Sequence, residues 1–73
     1  LPPVTMLVTF DRIVRESDLA LLLDFGGGTK EWFPKSQLRD LEEAASAKDK
    51  STVLIPEWLV LEKGLEAYAE EYD

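Results

Sequence analysis

Apolar and polar positions alternate with a period of two from Val4 to Glu16. Val4, Met6, Val8, Phe10 and Val14 share one side, broken by Arg12, while Thr5, Thr9, Asp11 and Arg15 dominate the other with Leu7 and Ile13 among them. This is the signature of a half-buried strand. Thirteen residues is long for one strand, so the pattern predicts a bend or bulge near Asp11–Arg12. Ser17 and Asp18 supply a turn. "LALLLDF" is then a second strand with Leu19, Leu21, Leu23 and Phe25 inward, and Leu22 implies partial cover on its other face. Gly26 to Gly28 read as a hairpin turn, because glycine tolerates the positive φ angles that such turns need.

"TKEWF" forms the third strand. Trp32 and Phe33 point to opposite sides, so only one of them enters the core fully, and Pro34, lacking an N–H, ends the strand. "KSQ" follows as a turn or a single 3₁₀ turn. Residues 37–43 are expected to pair as a strand with "TVLI" across a loop rich in Ala, Ser, Lys and Asp. A short helix over "LRDLEEAASAK" is the alternative. Val53–Ile55 make a short strand. Pro56 suits the first helical position and Glu57 complements the positive end of a helix. Gly64 is expected to stop that helix, with Leu65 folding back on the preceding turn and a weaker helical turn or frayed tail beyond.

The pattern predicts an α+β fold: a small antiparallel, barrel-like bent sheet of about five strands with a C-terminal helix. Residues 4–65 form a single compact domain, and residues 66–73 an acidic tail or helix extension. The expected core is Val8, Phe10, Leu21, Leu23, Phe25, Leu38, Val53, Ile55, Trp58, Leu61 and Leu65.

Composition narrows the chemistry. Among 73 residues there is no Cys and no His, so neither disulfides nor thiolate or imidazole zinc sites contribute. No cofactor or metal is expected. A core this small leaves stability marginal, and a homodimer is one way of supplying the missing burial. No apolar run is long enough to span a bilayer, and no basic segment precedes the apolar N-terminal stretch as in a signal peptide, so the cytoplasm is the expected location. Fifteen acidic against eight basic residues give a net charge of −7, which argues against direct binding to nucleic acid or an anionic membrane. The acidity is concentrated: after residue 56, Glu57, Glu62, Glu66, Glu70, Glu71 and Asp73 face Lys63 alone.

Two short motifs carry a resemblance. "EWFPKSQL" followed by "VLIPEWLVLEKGL" resembles small phage- and prophage-encoded domains in which a W-x-P-K-S-Q-[IL] corner precedes an [IV]-P-x-W-L-x-x-x-K-G-L segment. Trp32, Pro34, Lys35, Ser36, Gln37, Pro56, Trp58, Leu59, Lys63 and Gly64 match it, over about residues 8 to 65. The segment 37–52 and the acidic tail depart from it. The resemblance implies a compact, strand-rich, barrel-like domain with an accessory role in a mobile element and no assigned catalysis.

Enzymatic readings find little support. Lys35 and Ser36 are chain neighbours, which does not bring amine to hydroxyl. No phosphate-cradling glycine pattern or calcium loop is present. A protein partner is therefore expected, docking on the surface of Trp32, Lys35, Ser36 and Gln37. In its sharper form the partner is a nucleic-acid-binding host defence complex, inhibited in the anti-CRISPR manner by Glu62, Glu66, Glu70 and Glu71 acting as a nucleic-acid mimic. On one continuous helix Glu62, Glu66 and Glu70 would stand one per ~6 Å, against one phosphate per ~1.7 Å of duplex. The alternative is a small barrel binding single-stranded nucleic acid through Arg12, Arg15, Lys30 and Lys35 clustered with Trp32.

Overall fold

The computed structural model describes residues 4–46 and 48–72. Among them seven strands form two antiparallel sheets, with one α-helix. Sheet A has the order β5–β6–β1–β7 and sheet B the order β2–β3–β4. The α+β class holds, but the sheets do not close into a barrel and the strands number seven rather than about five.

The first alternating stretch divides into β1 (Thr5–Phe10) in sheet A and β2 (Arg12–Glu16) in sheet B. Asp11 is the corner. Its backbone N–H donates to the Asp24 carbonyl at 2.7 Å, its carboxylate pairs with Lys50, and the chain passes from one sheet to the other. The bend expected at Asp11–Arg12 is therefore a change of sheet. It resets the alternation: Ile13 packs against the core, while Val14 and Val4, expected inside, are exposed.

β3 (Ala20–Gly26) turns through Gly27 and Gly28 into β4 (Thr29–Pro34), with positive φ at all three glycines as the turn requires. Leu19 lies before the strand and is 80% exposed, contrary to its expected inward place. Lys35–Gln37 form a 3₁₀ turn, which delivers the chain to β5 (Arg39–Glu42) beside β6 (Ser51–Pro56). The strand reading of residues 37–43 thus holds over its centre. Ser51, buried at the start of β6, accepts the Ala44 N–H at 2.9 Å and ties down the intervening loop.

Helix α1 (Glu57–Lys63) follows β6 directly, with Pro56 as its cap. Gly64 takes φ 69° and ψ 34°; its N–H donates to the Leu61 carbonyl and the Leu65 N–H to that of Val60, both at 3.1 Å. This paired closure, with Leu65 and Val60 both buried, is a Schellman motif. Glu66–Tyr68 then make a 3₁₀ turn, and Ala69–Glu71 run back along β1 as β7, pairing with Met6, Leu7 and Val8.

The core lies between the sheets: Val8, Phe10, Val53 and Ile55 from sheet A, Leu21, Leu23, Phe25 and Phe33 from sheet B, closed by Leu59, Val60 and Leu65. Leu38 packs against it, partly buried. Trp58 and Leu61, expected inside, are 54% and 53% exposed. Because α1 begins straight from β6, the direction of that strand sets the phase of the helix and turns Leu59 and Val60 inward. No helix among the described residues is long and apolar enough to cross a membrane.

Candidate functional site

The outer face of sheet A is built by strand parity. Val8, Val53 and Ala69 lie in one row and point to the core, so the adjacent row of Leu7, Leu54, Glu70 and Arg39 points away from it. Two of these outward residues are leucines. Leu54 is only 7% exposed yet lies outside the core cluster, so its cover comes from neighbours on this outer face. On one side a groove of about 500 Å³ is lined by Leu7, Leu41, Leu54 and Tyr72, with Thr52, Asp40 and Glu42 at its rim. On the other, a groove of about 390 Å³ is lined by Ser36, Gln37, Arg39, Thr5, Pro56 and Trp58. Leu54 is the floor common to both.

The second groove brings the two sequence motifs together. Ser36 and Gln37 come from the corner after β4, Pro56 and Trp58 from the start of α1. A second junction lies nearby: Lys63 pairs with Glu31 at 3.8 Å and stands 5.8 Å from the centre of the Phe33 ring. Trp58 is thus held at its backbone by the helix while its indole is half open to solvent. An amphipathic ring placed in this way is a typical interface anchor.

The other predicted site residues are spread over the molecule. Trp32, 40% exposed, lies on the outer face of sheet B opposite Leu22, whereas Ser36 and Gln37 line the groove beside Trp58. Lys35 turns toward β2 and pairs with Glu16. The four carboxylates do not form a helical row, since Glu62 is on α1, Glu66 in the 3₁₀ turn, and Glu70 and Glu71 on β7. Glu70 shares the side of Leu7 and Glu71 that of Met6, so the last two point to opposite faces of sheet A. Trp58, Tyr72, Leu41 and Arg39 are site residues that sequence reasoning missed. The available signal was Leu7 and Leu54, apolar residues at positions whose parity faces solvent.

Sheet B presents a different surface. Arg12, Asp24 and Lys30 form one row across its outer face, and Arg15, Leu22 and Trp32 the next. The Asp24 carboxylate accepts the Gly26 N–H at 2.8 Å and lies 3.5 Å from the Arg12 guanidinium. The Gly26 hydrogen bond above all, with Arg12 and Lys30 adding to it against partial burial, holds its pKa below the ordinary 3.8. Among the described residues no group of three His, Cys, Asp or Glu side chains is placed to hold a metal ion.

No family model matches this chain, and comparisons with curated proteins and with solved structures return no match.

Proposed function

We propose that this protein is a non-catalytic binding domain that docks a protein partner on the outer face of sheet A, with Trp58 as the anchor. The observation that carries the reading is the half-exposed Trp58 beside a groove whose walls come from both sequence motifs. The surface has the composition of an interface core: tryptophan, tyrosine, leucine and arginine on a floor of Leu54, with acidic and small polar residues at the rim. The motif resemblance supports an accessory role of phage type, and inhibition of a host defence complex is the sharper form of that role. The net charge of −7 suits a partner with a basic surface, whose approach it would speed at low salt. Nucleic-acid mimicry by Glu62, Glu66, Glu70 and Glu71 draws no support from their placement, so the anchor rather than the acids carries the proposal.

The test is quantitative capture from a bacterial host lysate on immobilised wild-type protein, Trp58→Ala and Trp32→Ala. Proteins held by wild type and Trp32→Ala but lost from Trp58→Ala support this face. Equal capture on all three removes it.

A further inference from the structure

The outer face of sheet B is independent of the Trp58 groove. Its composition is unlike the rest of the chain, with three bases, Arg12, Arg15 and Lys30, to the one acid, Asp24, in a molecule of net charge −7. The pairing of β2 with β3 slips between Ile13 and Arg15, leaving Val14 as an extra residue. Ile13 faces the core, so unbroken alternation would turn Arg15 inward as well. The bulge brings Arg15 opposite Leu22 instead, on the same face as Arg12 and Lys30. In the same row, on the far strand, Trp32 is 40% exposed. Among the described residues Arg15 and Lys30 take part in no ion pair, whereas Arg12 is shared with Asp24.

We propose that this face binds single-stranded nucleic acid, with a base stacked on Trp32 against Leu22 and the flanking phosphates held by Arg15 and Lys30. An exposed aromatic ring between cations on an open sheet is what a stacked strand needs, since every base has a π face and stacking tolerates any sequence. An acidic peptide would satisfy the cations but leave the indole without a flat partner. The Asp24 carboxylate of the face is engaged by Gly26 and Arg12, which limits its repulsion of a phosphate backbone. Two interstrand spacings of about 4.8 Å make the face roughly 10 Å wide, room for two or three nucleotides. The acids next to the face, Glu16 and Glu31, are paired with Lys35 and Lys63, and at about 0.1 M salt any acid more than about 10 Å away is largely screened.

Fluorescence anisotropy of a labelled short oligothymidylate at about 0.05–0.1 M salt tests this. Wild-type protein is expected to raise the anisotropy, with a slope of log K against log salt between about −1.4 and −2.1 for two or three phosphate contacts. The double variant Arg15→Gln/Lys30→Gln, and separately Trp32→Ala, should each bind at least about tenfold more weakly, a loss of about 1.4 kcal/mol or more. Circular dichroism confirms that each variant is folded, and the exposed Arg15/Lys30 pair decides the matter even if Trp32→Ala does not fold. No rise with wild type, or undiminished binding by the folded double variant, overturns the proposal. So does polyglutamate displacing the oligomer as effectively as unlabelled oligothymidylate.

Discussion

At the scale of the residue, Trp32 and Phe33 show how far side-chain parity reaches. Their neighbouring positions dictate that one is buried and the other not; Phe33 is fully buried, and Trp32 faces outward. Phe33→Ala should cost about 3–5 kcal/mol by opening a cavity, and Trp32→Ala less than half of that, as read from urea unfolding midpoints. The ordering of the two variants is the check. Asp24 offers a second test through pH. Its folded pKa lies below the unfolded value, so its stabilising contribution is fully present above about pH 4 and is lost as pH falls through the lowered folded value. Asp24→Asn should be less stable than wild type near neutrality, and its unfolding midpoint should decline less between pH 4 and lower values. Parallel decline of both curves would show that the Gly26 and Arg12 contacts do not discriminate the charged form.

Between elements, local signals were legible and their relative placement was not. Gly64 and Leu65 announced the end of α1, and the left-handed Gly64 with Leu65 buried beneath Val60 bears that out. Gly64→Ala should cost about 1–2 kcal/mol for left-handed backbone on a residue with a Cβ. Nothing lies within 4 Å of the added carbon, so the measured loss reports conformation alone. Trp58 and Leu61, expected in the core, are exposed instead, because β6 sets the phase of α1 through Pro56 and turns Leu59 and Val60 inward. The strand β7 was illegible for a related reason: "AEE" has little strand character of its own and pairs because β1 offers an edge once Leu65 and Tyr68 have turned the chain back. The bulge in β2 makes a prediction of its own. Deleting Val14 removes the unpaired residue and leaves Ile13 opposite Leu23 and Arg15 opposite Leu22. The shortened protein should fold with a thermal midpoint within about 4–8 °C of wild type, the shift that 1 kcal/mol produces in a domain of this size.

For the molecule as a whole, the two sheets bury one core between them and leave two outer faces of different character. The face of sheet A mixes leucines and aromatic rings with uncharged, acidic and basic polar groups, and that of sheet B is basic with one indole. Much of the core was legible: Val8, Phe10, Leu21, Leu23, Phe25, Val53, Ile55 and Leu65 all lie within it. The candidate site was legible only as the "KSQ" corner. Trp58 joins Ser36 and Gln37 because β5 and β6 pair, a contact that no spacing within either motif encodes. The decisive experiment is the affinity of a partner identified by capture, compared between wild-type protein and folded Trp58→Ala. A central tryptophan anchor predicts a loss of about 2 kcal/mol or more, roughly thirtyfold in Kd. An unchanged Kd would mean that the Trp58 groove is not where this protein meets its partner.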